Sequence, residues 1–491
     1  MTTKKRIISN TFYSFSGFAA EYIFAYFIII AIARYLGDVG MGEYSFIFAM
    51  AHSLVFLTHQ GMDYLMIRDI SREEDKAQVY VSNVLSMKLI LTICAFVIMS
   101  MIALSLPKSP EVINALILAL FSCGVAAFLE VYDPYLQAKQ RISIISLAKV
   151  LERGTALLLV IIFLLQGKGI IWVVAAVFIG RLIRDLIMIS ASWRHIGFKF
   201  GFDIDIWKDL FIKGLPFLAT NVFLYIYFRV DIVMLSFMKG DAVTGWYSAA
   251  YKLIDLISFI PYLVISATLP GMAASFKKDD ILMQDIFRRT LRYLIILAFP
   301  ITIGGFIIAP KAIDFLYGFR YGFENSAIAM QVLIWCEIFL FANYLFGNVL
   351  NIIGKQYYFT IIGGGAVILN IILNLLLIPR YSFVGAGIAT VISEIAIFVI
   401  LLYFARRFLG NIDFFSMAWK PIIASVIMGI ILYFLQFSLG ILLLIPVGIV
   451  TYAIVFLLIN GLNKHDKEIL LFFKQEILKL TSSSSRMNQL F

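Results

Sequence analysis

Charge is scarce in this chain: Asp, Glu, Lys and Arg make up only 14% of its 491 residues, where a soluble domain carries about a quarter. Histidine occurs four times and cysteine three times. Cys94, Cys123 and Cys336 each lie inside an apolar run with no partner at metal-ligand spacing. That excludes a disulfide scaffold and a zinc module, and the three read as small core residues. The chain has no GxxxxGK[ST] phosphate loop, no HExxH pair and no nucleophile–base constellation. A nucleotide motor of that type is therefore excluded, an enzyme is disfavoured, and no cofactor or metal is implied. What is abundant is apolar: 62% of residues are hydrophobic and the mean hydropathy is +0.94. A soluble core cannot bury so much, because too large a share of any chain stays at the surface. The class is a polytopic membrane protein. The basic excess, 40 Lys and Arg against 30 Asp and Glu, would suggest nucleic acid on a soluble protein. Here it reads as loops held against an anionic membrane face, with no nucleic-acid partner.

About 20 apolar residues span a bilayer as a helix. Fourteen runs meet that length: 12–34, 43–67, 80–106, 111–137, 144–166, 169–191, 214–238, 245–272, 289–309, 327–352, 358–378, 384–405, 418–438 and 440–460. The first follows Lys4, Lys5 and Arg6, is too long for a cleaved signal and reads as a retained helix. Between the sixth and seventh runs, 192–213 is polar. Its Ile206, Trp207, Leu210 and Phe211 share one helical face, with Lys208, Asp209 and Lys213 off it, as in a helix lying on a membrane surface. Residues 464–480 are amphipathic, and 481–491, with four consecutive serines, read as a disordered tail. With the N-terminus cytoplasmic, 29 Lys/Arg fall in cytoplasmic segments and seven in external ones. That bias places both termini in the cytoplasm and the protein, multi-pass, in the cell membrane.

The chain repeats itself. After the first run it reads Gly37-Asp38-Val-Gly-Met-Gly42-Glu-Tyr44-Ser45, and after the seventh Gly240-Asp241-Ala-Val-Thr-Gly245-Trp-Tyr247-Ser248, at an offset of 203. Ala138-Lys139-Gln140 follows the fourth run and Gly354-Lys355-Gln356 the tenth, at an offset of 216. A longer loop at 310–326 accounts for the difference. Two parallel six-helix repeats follow, with the last two runs outside them. The turns and the basic A/G-K-Q segments resemble the polysaccharide-transporter (Wzx-type lipid-linked oligosaccharide flippase) family of the multidrug/oligosaccharidyl-lipid/polysaccharide superfamily. The resemblance implies two six-helix lobes in pseudo-twofold arrangement around a central cavity, plus two extra C-terminal helices. The cavity alternates between faces to carry a lipid-linked oligosaccharide outward. The chain then divides into a lobe at 1–191, an amphipathic linker at 192–213, a lobe at 214–405, the extra helices and cytoplasmic tail at 406–480, and the tail 481–491.

A charge at helix centre costs about 2.5–3.5 kcal/mol on insertion scales, so each such residue is a candidate. Arg229 and Asp231 lie in the seventh run, Lys252 and Asp255 in the eighth. Their depths allow the cross-helix pairs Asp231–Lys252 and Arg229–Asp255. One reading makes these structural ion pairs. The other puts Arg229 and Lys252 on the cavity wall to hold the phosphate of a polyisoprenoid carrier, with Arg34 and Arg181 as further cavity cations. Arg181 and Asp185, at i,i+4, are spaced to satisfy each other. Glu21, Asp231, Asp255, Glu337, Glu394 and His52 are candidate charge partners or sites for a coupling H⁺ or Na⁺. Pro261 and Pro270 interrupt the eighth run and Pro300 the ninth, as bending points. The expected function is a flippase, with membrane lipids and other glycan-assembly proteins as candidate partners. Its alternatives are a cation-coupled multidrug (MATE-like) exporter, for which an acidic cavity would speak, and a membrane-embedded glycan polymerase or ligase, which the short external loops disfavour.

Overall fold

In a computed structural model the described residues are 3–462, apart from 60–61, 74, 76 and 194, together with Asp466. The rest of the amphipathic segment expected at 464–480, and the tail 481–491, lie outside them. The regular structure of the described residues is helical throughout, and the described residues of the fourteen apolar runs are mostly helical. The chain is an all-α polytopic membrane protein. Among the described residues, ten segments are long and apolar enough to cross a membrane. The 24-residue helices α6 (Ile142–Leu165) and α7 (Ile170–Trp193) are long enough as well, but α6 carries Lys149, Glu152 and Arg153, and α7 carries Arg181, Arg184 and Asp185.

Local chemistry marks the breaks. In α1 (Thr3–His59) the helix is interrupted at Gly37, whose φ of 70° and ψ of −166° are open to glycine. Met62–Arg72 forms α2, Ala77–Leu104 α3. Ser109 caps α4 (Pro110–Leu129), with proline at the first position, where no N–H is needed. Tyr132–Ala138 forms α5. The polar stretch before the seventh run is no separate surface helix: capped by Asp203, α8 runs unbroken from Ile204 to Met238. Its Ile206, Trp207 and Leu210 belong to one apolar cluster with Met62, Val84, Tyr135 and Met188, so most of the apolar face meets protein where a lipid surface was expected, while Phe211 stays exposed. α9 (Asp241–Ile257) ends just before α10 (Phe259–Ser275). Pro261 has no N–H to offer the carbonyl of Ile257, four residues back, which accounts for that break. Asp280–Leu316 forms α11 with Pro300 inside it, Glu324–Leu333 α12, Glu337–Ile352 α13. α14 (Gln356–Leu409) breaks at Ser382, and Phe414–Leu435 and Ile441–Leu458 form α15 and α16.

These helices pack into two compact units. The first holds residues 1–255, 313–333 and 354–397, the second 256–312, 334–353 and 398–491. The units cut across the repeats, since α8 and α9 belong with the first six runs. Within the first unit the two copies of the repeated turn touch. A Cβ on Gly42 would lie 1.8 Å from the Asp241 carbonyl oxygen, and one on Gly245 1.9 Å from that of Asp38. Each motif glycine therefore admits the backbone of the other motif's aspartate. The aspartate side chains complete the contact: Trp246 donates to Asp38 at 2.8 Å, and Lys108 to Asp241 at 2.6 Å. In the second unit, Met428 and Leu432 of α15 pack with Leu444 of α16, and Gly429 takes Ile303 of α11.

Candidate functional site: a cationic cavity in the first unit

Five helices of the first unit enclose a cavity of about 190 Å³. Tyr44, Phe48 and His52 face it from α1 at i, i+4 and i+8, one stripe of a helix. Ile28 and Ile29 add an apolar wall from the same helix, before the Gly37 break. Arg153 comes from α6, Arg181 from α7, Arg229 from α8 and Lys252 from α9. Four cations thus converge on one cavity whose lining includes no carboxylate.

Each cation has a carboxylate behind it at a loose distance. Asp255 lies 3.5 Å from Arg229 and 3.4 Å from Lys252. Glu21 lies 3.8 Å from Arg153 while accepting from Lys149 at 3.1 Å. Glu152 lies 4.0 Å from Arg181. Charge-assisted bonds close to about 2.7–2.9 Å where nothing competes, as Lys108–Asp241 does at 2.6 Å. The four cavity cations thus have three carboxylates near them, each at a loose distance and shared between two cations, and the buried Nε of Arg153 has no hydrogen-bond partner. Tyr251 backs the Arg229 guanidinium, its ring centroid 5.7 Å away.

His52 is held neutral by its partners. Nδ1 is 2.8 Å from the Phe48 carbonyl, which only accepts, and Nε2 is 3.1 Å from an Arg181 amino group, which only donates. Those roles require the proton on Nδ1 and a lone pair on Nε2. His52 serves here to orient Arg181.

Three of the four cations expected from sequence, Arg181, Arg229 and Lys252, meet at the cavity. Arg34 does not: it donates to the carbonyls of Leu316 and Phe315 at 3.0 and 2.7 Å, closing the end of α11. The Arg229–Asp255 pair is present, whereas Asp231–Lys252 is not. Asp231 sits two residues from Arg229, about 200° around the helix, and accepts instead from buried Tyr247. Nor do Arg181 and Asp185 satisfy each other: Arg181 reaches Cys123 at 3.0 Å, and Asp185 lies 3.9 Å from Arg184. Glu394 accepts from Tyr227 at 2.8 Å, and Glu337, in the second unit, accepts from Ser258 at 2.9 Å. Neither lines the cavity. Of the cysteines, Cys123 and Cys336 are buried and Cys94 is exposed.

Arg153 escaped the sequence reading because it counted among the basic residues at helix ends. It lies nine residues into the run 144–166, and that depth was the available signal. Tyr26 was legible only as an aromatic. Its hydroxyl donates to the Lys252 carbonyl at 2.5 Å and ties α1 to α9. Among the described residues no group of three or more His, Cys, Asp or Glu side chains is placed to hold a metal ion.

The profile of the family described as polysaccharide biosynthesis protein matches residues 7–276, more than half of the chain. The chain belongs to that family. A second profile, MatE, matches residues 216–376, and together the two place the chain in the superfamily its turn motifs resemble. An uncharacterized membrane protein of Methanocaldococcus jannaschii is 21% identical over 494 residues, covering 94% of this chain and 97% of that protein. A probable low-salt glycan biosynthesis flippase of Haloferax volcanii is 21% identical over 275 residues, covering 55% of this chain and 56% of its own length. In structure the chain is similar to lipid II flippase MurJ in an inward closed conformation, with a TM-score of 0.76 at 19% identity over 91% of this chain and 98% of that one. The family and the fold are those of a transporter rather than an enzyme.

Proposed function

We propose that the chain is a flippase that carries a polyisoprenoid-phosphate-linked oligosaccharide from the cytoplasmic to the external leaflet by alternating access, for cell-surface glycan synthesis. The acidic head group sits among Arg153, Arg181, Arg229 and Lys252, and the lipid tail stays in the bilayer. Both termini face the cytoplasm of a cell-membrane protein, on the strength of the Lys/Arg distribution. Relatives named as glycan flippases and the fold shared with a lipid II flippase support this reading.

The observation that carries it is the sign of the cavity: four cations and no carboxylate on its lining. A guanidinium fork matches two phosphate oxygens, and Lys252 adds a point charge. The drug exporter would need an acidic lining for a cationic drug, and this cavity has the opposite charge. Replacing Arg229 and Lys252 together with alanine is expected to abolish surface-glycan export while the protein remains in the membrane. Unchanged export, read by surface labelling of the glycan, would overturn the assignment.

A further inference from the structure

Behind the cavity lies a second group of charges whose balance is uneven. Asp133, Glu152 and Asp185 are all buried, and the cations among them are Arg184 and Arg181. Arg184 binds Asp133 closely, lies 3.7 Å from Glu152 and only 3.9 Å from Asp185. Asp185 is 3% exposed and its Oδ2 has no hydrogen-bond partner. The groups that face it are Arg184 and Arg181 on its own helix, Glu152 from α6 and Asp133 from α5. From α4, Cys123 takes an Arg181 amino group. Asp133 in turn faces Glu130, Lys149 and Asp63, and Lys149 is committed to Glu21.

Three carboxylates against two cations leave one negative charge in excess. A buried charge without a partner is expensive, and a proton removes the cost. Asp185 has a single cation contact, at 3.9 Å, where Glu152 has two, and its buried Oδ2 has no partner, so the proton belongs there. A metal cation does not fit, because the Arg184 guanidinium occupies the middle of the group. One cation is shared with the cavity. Arg181 is on the cavity wall and also faces Glu152. An anion in the cavity draws the Arg181 fork away from Glu152, which leaves three carboxylates on Arg184 alone and raises the demand for the proton. Linkage is reciprocal, so the proton favours the anion equally.

We propose that Asp185 is a proton-binding site whose occupancy is coupled, through Arg184, Glu152 and Arg181, to anion binding in the cavity. The site stands on the buried charge group alone, whereas the coupling rests on the reading of the cavity as a head-group site.

Two measurements on the purified full chain separate these. Infrared difference spectra of wild type and Asp185→Asn need no anion. The wild type at neutral pH is expected to carry a protonated-carboxyl carbonyl stretch that the variant lacks, with Asp185→Ser as the second variant where the first is not recovered folded. Spectra without that loss would overturn the proton site. Inorganic pyrophosphate titrated between about pH 6 and about pH 8 then reads the coupling. Affinity is expected to rise as pH falls, by at most about tenfold per pH unit more in wild type than in Asp185→Asn, the limit for one linked proton. Equal slopes would overturn the coupling, as would a slope that vanishes when sodium is replaced by choline. Wild type that binds no pyrophosphate at any pH would overturn the cavity reading and leave the infrared result standing.

Discussion

Positions 203 residues apart in the two repeats meet around the same cavity and do different work there. Tyr26, Ala49 and His52 of α1 correspond to Arg229, Lys252 and Asp255 of α8 and α9. Ala49 and His52 line the cavity beside Arg229 and Lys252, and the Tyr26 hydroxyl donates to the Lys252 carbonyl. The first copy supplies neutral groups that bond to backbone or hold a neighbour in place. The second supplies formal charge. The backbone pattern is common to both, so packing alone does not demand the cations. Where packing does make a demand, the copies agree: Gly42 and Gly245 occupy equivalent positions because each must admit the other turn's backbone.

Making the second copy resemble the first is the strongest test of that contrast. Arg229→Tyr combined with Lys252→Ala should weaken inorganic pyrophosphate binding by at least about 100-fold in calorimetry, since two charge-assisted bonds contribute about 1.5–3 kcal/mol each. A loss under about threefold would place the anion elsewhere. Next in size, Gly42→Ala and Gly245→Ala should each lower the thermal unfolding midpoint in detergent, at a cost of about 1–3 kcal/mol for overpacking. Gly363→Ala, inside α14 with nothing within 4 Å of the new methyl, is the control and should not lower the midpoint. A smaller gain is expected from Asp255→Asn, which frees Arg229 and Lys252 of their shared counter-ion. Pyrophosphate should bind about two- to fivefold more tightly, because partly exposed pairs such as these contribute about 0.2–1 kcal/mol each. Arg34→Gln closes the series with less than about a twofold change, because its fork already serves the Phe315 and Leu316 carbonyls.

Most of the architecture was readable in the chain itself. Apolar run length is a one-dimensional property, and in a bilayer every backbone polar group must be satisfied within its own segment, so long runs become helices. The helix start at Asp203 and the break before Pro261 follow from capping and from proline's missing N–H. The polar stretch before the seventh run was misread as a surface helix because amphipathicity reports that one face is buried but not what covers it. In the structure Tyr135 and Met188 help to cover it. The site was legible in part. Depth nominated Arg181, Arg229 and Lys252, but depth carries no information on rotation about the helix axis. Asp231 and Lys252 share a depth and do not meet, and Arg153 was hidden by its neighbours at the helix end.

The sequence by itself thus determined a polytopic helical membrane protein with two related repeats, because hydropathy and repetition are written along the chain. Only the tertiary structure decided which charges share a cavity, which serve as counter-ions and which, like Arg34, merely close a helix end. Those roles depend on where five helices turn their faces, and rotation is set by packing between helices rather than by the order of residues within any one of them.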